Sequence, residues 1–478
     1  MLQVTCKAAA AVLLAYFLFF HGLGDVGLLG PDEPRYASVG REMALTADWV
    51  TPRLWGEPWF EKPALVYWMA GLGFTAGLGD ELAPRLPVAV LSVSFLAFFG
   101  IWLGREFGSR AAWFASAILA TSAGWLAFSR ICVTDLPLGA AFGASVILLL
   151  PWIANGDRRV LLPAGLALGA AVLAKGLVPL VLIAPVAWFG RRRLRDLLVL
   201  GSFAILAAAP WYVLCTLENG RPFLEEFFLR HHFGRFYSEE LQHVQPFWFY
   251  APVLLAGLIP WSPLIVGLRK RELYADRRIQ FLAAVAGFGF LFFSISTNKL
   301  PGYLLPLFPA LAALFGIALA RAERAGVLLA CCAALLAVVP LAAEVLPEAL
   351  RNGLSRASMP SMAWLPLPVV AVLCGLVWWL EKGTRRCWAV ALLAVAAAGG
   401  VVYLKETAFP ALDRDVSARR LWLEAGPAAH TICVEEIHRS WRYGLNYYSM
   451  EPLPACSVED RPLHVRQLPG MPPYVAPR

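Results

Sequence analysis

Residues 161–189 read LLPAGLALGAAVLAKGLVPLVLIAPVAWF, an apolar run with a single cation, Lys175, near its middle. A membrane-spanning helix needs about 20 mostly apolar residues. The run is therefore either one long span with a buried lysine or two short spans with Lys175 at their tip. The choice sets the side of the membrane on which everything after residue 190 lies. Arg191, Arg192, Arg193 and Arg195 follow directly, and short loops rich in Lys and Arg stay on the cytoplasmic side. One long span would put these arginines outside and break the pattern downstream. Two short spans keep it, with the tip sitting below the outer interface because each half is short for a bilayer. A cation at that depth needs an anion, and a lipid phosphate is a natural one. A lysine that snorkels from an ordinary loop accounts for the residue equally well.

The rest of the chain fits a membrane protein. Of its 478 residues 59% are hydrophobic and only 15% charged, with a mean hydropathy of +0.62; soluble domains carry about 25% charged residues. The net charge of +8 comes from basic residues scattered between apolar runs, which marks cytoplasmic loops and excludes a nucleic-acid surface. Thirteen segments read as spans: 8–24, 84–103, 111–128, 135–153, 161–173, 177–189, 197–217, 251–268, 279–296, 303–320, 326–346, 364–380 and 387–404. Basic clusters at Arg105/Arg110, Arg158/Arg159, Arg191–Arg195, Arg269–Arg271, Arg321/Arg324 and Lys382–Arg386 then share one side. The N-terminus is inside, and the loops with Asp32, Glu61, Asp135, Lys175, His231 and Lys299 are outside. Segment 8–24 reads as a retained span because no small-residue cleavage site follows it.

Residues 405–478 are mixed and partly charged. They read as a small α/β domain outside the membrane, with a strand near Thr431–Val434 and a Pro-rich, disordered last dozen residues. Residues 1–404 form the membrane domain, with a long first outer loop at 25–83. Cys6, Cys331, Cys332, Cys374 and Cys387 lie in or beside spans and act as small apolar residues. A disulfide between Cys433 and Cys456 suits an oxidising compartment.

Charge near a bilayer is costly and marks function, and the first outer loop is dense with it. It holds Asp32-Glu33-Pro34-Arg35-Tyr36 and Trp59-Phe60-Glu61-Lys62-Pro63, with further aromatics that would anchor amphipathic helices at the interface. Glycosyl transfer needs a carboxylate to take a proton from the acceptor hydroxyl. It also needs cations where negative charge grows on a leaving phosphate. Asp135 opens a span in Thr134-Asp135-Leu136-Pro137, where an acid also has a purely structural use at a helix start. Arg230-His231-His232-Phe233-Gly234-Arg235-Phe236 and Lys299-Leu300-Pro301-Gly302-Tyr303 add cations beside aromatics.

Jointly these motifs, with Asp48-Trp49-Val50-Thr51-Pro52-Arg53, Lys175-Gly176, Pro210-Trp211-Tyr212 and Gln245-Pro246-Phe247-Trp248, resemble the membrane-embedded GT-C glycosyltransferases. These use polyprenyl-phosphate sugars. The likeness is closest to the aminoarabinose lipid A transferase branch, related to protein O-mannosyltransferases. It implies an all-α polytopic GT-C fold of about thirteen transmembrane helices in the bacterial inner membrane, with the active site facing the periplasm. It implies inverting transfer from undecaprenyl phosphate to lipid A or another periplasmic lipid or glycan, among membrane lipids and without nucleic acid. Asp32 would be the catalytic carboxylate with Asp135 nearby. Arg35, Trp59, Lys62, Lys175, Arg235 and Tyr303 would bind substrate. Glu61 would join a divalent metal site with His430 or His438. Two other readings stand beside this one: transfer to protein hydroxyls, and a lipid-carrier transporter. A transporter would place its ionisable residues near the midplane in broken helices; here they gather on outer loops.

The orientation is testable by fusion. Alkaline phosphatase placed after residue 410 is expected to be active and one placed at Arg193 inactive; the reverse result overturns the topology.

Overall fold

Gly176, at φ +68°, ends the helix Leu161–Lys175. The chain restarts as the short helices Val178–Leu182 and Ala184–Phe189. The 161–189 run is thus broken at its lysine, since a side chain is rarely tolerated at that φ and glycine adopts it freely. The computed structural model describes residues 2–227, 244–358 and 366–478.

Helices occupy all thirteen expected segments. Among the described residues, seven helices are long and apolar enough to cross a membrane unaided: Leu82–Phe107, Asp135–Asn155, Leu194–Phe227, Arg277–Ile295, Pro301–Arg321, Gly326–Asn352 and Arg386–Asp415. The pair Phe247–Gly257 and Ser262–Arg269, bent by 108°, is long and apolar enough only when its two helices are taken together. The unbroken span expected at 251–268 fails at Pro260 and Pro263, which cannot donate helix hydrogen bonds. Trp261 fills the bend, fully buried, and donates through Nε1 to Thr121 Oγ1 at 2.8 Å. The remaining segments are shorter helices, among them Ala9–Phe20 and Val178–Phe189, so length alone does not reach thirteen spans.

The bundle core is aromatic and close-packed. Phe95, Phe99, Trp125, Trp152 and Phe315 are buried in one cluster. Gly316 lets two helices touch: a Cβ there would lie 2.5 Å from the Ala115 backbone nitrogen.

The first loop is ordered. It forms the helix Asp32–Thr46, a two-stranded antiparallel turn (Arg53–Leu54 with Glu57–Pro58) and the helix Leu65–Thr75. Tyr36, Val39, Met43, Val66, Tyr67 and Ala70 pack the two helices together, with Cys132 beneath them. After the last long helix, the strand Leu463–Arg466 pairs in parallel with Ile432–Val434 and antiparallel with Tyr474–Pro477. The expected strand near residue 432 is present, and Cys433 is bonded to Cys456. The Pro-rich end is not disordered as expected: it adds an edge strand, where a proline at position 477 costs no central ladder bond. The helix Arg439–Ser449 seats this unit on the first loop. Tyr447 Oη donates to Asp80 O at 2.6 Å, and the Arg41 guanidinium lies 3.9 Å from the Tyr447 ring centroid while donating to Tyr447 O.

One buried ion pair fastens these parts. The side chains of Arg85 and Glu33 are 4% and 1% exposed and 2.7 Å apart. Arg85 also donates to the carbonyls of Leu23, Val26 and Gly27, and Glu33 accepts from the backbone nitrogens of Leu29 and Cys132. Removing one partner of such a pair strands the other charge, at a cost of about 3–5 kcal/mol. Arg85→Met is therefore expected to lower the unfolding temperature of the detergent-solubilised protein sharply. Adding Glu33→Gln should recover part of the loss. An Arg85→Met variant as stable as the parent would contradict this role.

Candidate active site

Two charged clusters stand on either side of the Glu33–Cys132 hydrogen bond. The first is built from the start of the helix Asp32–Thr46 and the turn before Leu65. Asp32 and Arg35 lie one helical turn apart and form an ion pair. Arg35 Nη1 reaches Glu61 Oε2 at 3.0 Å, and Lys62 Nζ reaches Glu61 Oε1 at 3.0 Å. Exposure separates the two carboxylates. Glu61 is 8% exposed and enclosed by cations, whereas Asp32 is 43% exposed, so Asp32 is the carboxylate open to an incoming molecule. The aromatic wall places Trp59 5.6 Å and Tyr443 5.0 Å from the Arg35 guanidinium, ring centroid to Cζ. Burial, reinforced by the Glu61 charge, holds the hydroxyls of Tyr36 and Tyr67 well above the usual phenol range. Both stay protonated and able to donate.

Three donors around this cluster, Trp55 Nε1, Trp59 Nε1 and Tyr67 Oη, are buried with no partner among the described residues. A buried unpaired donor costs about 1–3 kcal/mol. Three together beside a charged cluster describe a surface that lacks its polar partner.

The second cluster lies at the mouths of three helices. Asp135 opens Asp135–Leu148, Lys175 closes Leu161–Lys175, and Tyr303 lies in the turn Pro301–Leu307. Lys175 Nζ is 2.6 Å from Asp135 Oδ1 and 4.5 Å from the Tyr303 ring centroid. Gly302 makes the approach possible, since a Cβ there would fall 2.6 Å from Asp135 Oδ1. Asp135 is thus both a first-turn acid and the partner of Lys175; the anion beside that lysine comes from the protein itself. Lys299 differs: it is buried and donates to the carbonyls of Gln245 and Ser296, a structural use.

Two contacts join the clusters. Glu33, next to Asp32, accepts from the Cys132 nitrogen at 3.0 Å, three residues before Asp135. Phe60 and Ala64, flanking Glu61 and Lys62, pack with Val172 and Leu173 at the end of the helix that Lys175 closes. Asp32, Arg35, Trp59, Glu61 and Lys62 therefore form one group, and Asp135, Lys175 and Tyr303 another tied to it. Arg235 lies outside the described residues, as do His231 and His232.

The described residues do not fit a divalent ion at Glu61. Both its oxygens face cations, which repel such an ion, and no His, Cys, Asp or Glu among the described residues completes a ligand set with it. His430 meets Trp422 edge-on, and His438 caps the helix Arg439–Ser449. The described residues with ligand spacing are Cys433, Cys456 and His464, and those cysteines are bonded to each other.

Tyr443 is a site residue that the sequence reading did not single out. Only docking of the distant helix Arg439–Ser449 brings it to Arg35; Trp55, which stacks on it at 6.0 Å, was legible as a loop aromatic.

The chain is similar to several known proteins. The family described as dolichyl-phosphate-mannose-protein mannosyltransferase matches residues 4–215. An undecaprenyl phosphate-alpha-4-amino-4-deoxy-L-arabinose arabinosyl transferase of Pseudomonas aeruginosa is 34% identical over 334 residues, 66% of this chain and 60% of the relative. One from Edwardsiella ictaluri is 35% identical over 303 residues, 59% of this chain and 54% of the relative. The alignments therefore span about three fifths or less of these relatives' length. The crystal structure of ArnT from Cupriavidus metallidurans bound to undecaprenyl phosphate superposes with a TM-score of 0.73 at 24% identity, covering 98% of this chain and 87% of that one. The chain shares that fold, and the likeness to polyprenyl-phosphate-sugar glycosyltransferases read from its motifs holds.

Tyr67→Phe isolates the unpaired hydroxyl without changing shape. It is expected to leave stability unchanged or raise it by up to about 1 kcal/mol, while weakening ligand binding. A markedly less stable variant would mean that the hydroxyl is satisfied in the free protein.

Proposed function

We propose that the chain is an inverting glycosyltransferase of the inner membrane. It would move a sugar from undecaprenyl phosphate to lipid A or another periplasmic lipid or glycan, with the active site at the periplasmic face. The observation that carries this reading is the pairing of one accessible carboxylate, Asp32, with the half-buried Arg35 and the buried Lys62, on a loop lined by unpaired donors.

The chemistry follows from those positions. Asp32 takes the proton of the acceptor hydroxyl as its oxygen attacks the anomeric carbon of the donor sugar. The bond from that carbon to the phosphate oxygen breaks, and its electron pair leaves on the phosphate. A single displacement of this kind inverts the configuration. Lys62, Arg35 and Lys175 meet the charge that grows on the leaving phosphate, with Asp135 orienting Lys175 and Tyr303 flanking it. The orphaned Trp59 and Tyr67 donors suit sugar or phosphate oxygens. The prenyl tail stays in lipid, because each methylene moved into water costs about 0.8 kcal/mol. A groove of about 360 Å³ lined by Leu168, Val172, Leu180, Ile183, Leu200 and Ala204 runs along the Lys175 helix and offers it an apolar seat.

The match to a protein mannosyltransferase family over residues 4–215 favours a second acceptor, protein hydroxyls. Mass spectrometry of lipid A and of exported proteins from a deletion strain separates the two.

Asp32→Asn keeps size and hydrogen bonding but removes the base. It is expected to abolish transfer in a reconstituted assay at normal expression, and near-parental activity removes Asp32 from this role. Lys62→Ala and Lys175→Ala are each expected to weaken undecaprenyl phosphate binding by about tenfold or more, as fits the loss of a charge-assisted hydrogen bond. Unchanged binding in both variants would place the phosphate elsewhere.

A further inference from the structure

A second polar site, sharing no lining residue with either cluster, lies at the seam between the bundle and the C-terminal sheet. The helix Val338–Asn352 ends there, at Gly353 with φ +91°. The following residues face the turn at 467–470 across a cleft of about 760 Å³. Arg351, Asn352, Arg356, His438 and Gln467 supply its polar lining, and no carboxylate lines it.

The two arginines set it apart. Several arginines around the C-terminal unit are matched: Arg85 with Glu33, Arg419 with Asp413, Arg420 with Glu424, Arg461 with Glu459 and Arg466 with Glu435. Arg351 and Arg356 form no ion pair among the described residues, and Arg351 Nε is buried with no hydrogen-bond partner among them. The guanidinium fork is shaped for two phosphate oxygens, and its buried N–H would be satisfied by one. Gln467 is held ready on the far wall, accepting from the His438 nitrogen at 2.7 Å and donating to Met471 O. His438 carries no added positive charge near neutrality, because burial and Arg439 lower its pKa. The rest of the lining is largely apolar, with Leu350 and Leu468 both exposed. A basic and apolar lining, at the end of a membrane-length helix, suits an anionic headgroup whose chains remain in the bilayer.

We propose that this cleft binds a phosphate of the acceptor glycolipid, through Arg351 and Arg356, and so holds the acceptor while its hydroxyl reaches Asp32. The assignment rests on the transferase reading for the word acceptor. The phosphate site itself does not.

The test uses the full chain in phosphatidylcholine nanodiscs, with undecaprenyl phosphate added to fill the donor site, titrated with glucosamine 1-phosphate. Saturable binding is expected, absent with glucosamine, and weakened about tenfold by Arg351→Ala and again by Arg356→Ala. Arg351→Lys should restore part of the loss, and unfolding temperatures close to the parent's exclude misfolding. Nanodiscs containing phosphatidylglycerol ask whether a bulk lipid is the ligand. In a transfer assay with lipid A as acceptor, the double variant should raise the KM for its diphosphorylated form and leave the KM for donor unchanged. If the parent shows no transfer yet arginine-dependent binding persists, the transferase reading falls and the phosphate cleft stands. The cleft falls if the parent does not bind glucosamine 1-phosphate or the double variant binds it as tightly. The acceptor role falls if phosphatidylglycerol displaces the sugar phosphate and the acceptor KM does not move.

Discussion

The buried Glu33–Arg85 ion pair is the constraint on which the rest of the arrangement depends. Two charges removed from water are tolerated only when every lone pair and N–H around them is engaged. Here that condition fixes geometry. Satisfying Arg85 draws in the carbonyls of the 23–27 turn, and satisfying Glu33 draws in Leu29 and Cys132. A helix start, a turn, the span Leu82–Phe107 and the segment before Asp135 are thereby held at one point. Asp32 and Arg35 sit within one turn of this anchor, so the exposed carboxylate inherits the rigidity of a buried network. The same logic appears where Lys405 and Arg130 both donate to carbonyls at the end of the first helix, including that of His21, since cations are favoured at helix C-termini.

The candidate site uses charge in a graded way. Glu61 is enclosed and neutralised by Arg35 and Lys62; it positions those two cations and is not free to act as a base. Asp32 shares Arg35 but stays open to solvent. Lys175 is held by Asp135 and a tyrosine face. Each cation that could meet a phosphate is thus kept in place by a carboxylate before any ligand arrives, which lowers the ordering cost of binding. Arg351 and Arg356 lack such partners among the described residues, and this contrast is what marks their cleft as a different kind of site.

Much of this was legible in the sequence because charge in a greasy chain is conspicuous. Asp32, Arg35, Glu61, Lys62, Asp135 and Lys175 stand out against their surroundings, and the arginines after residue 190 argued for the break at Lys175 that the fold shows. Span lengths were less legible. Prolines 260 and 263 bend one expected span, a break that a hydropathy window averages over. The Pro-rich terminus reads as disorder by composition, yet pairing with Leu463–Arg466 supplies the hydrogen bonds that composition cannot foresee. Trp59 was legible as a substrate contact and Trp55 as a loop aromatic, but Tyr443 and the unpaired state of the two indoles were beyond reach for the same reason: they come from contacts between segments hundreds of residues apart or from the absence of a partner among the described residues.

The central claim is that the two charged clusters serve one donor phosphate. It is tested most directly by an experimental structure of this protein with undecaprenyl phosphate bound. The account predicts the phosphate oxygens within hydrogen-bond distance, about 3 Å, of Lys62 and Lys175. It also predicts Asp32 facing the anomeric side of the phosphate and the tail along the Lys175 helix. A phosphate bound away from both lysines, with Asp32 and Asp135 opening onto separate cavities, would contradict it.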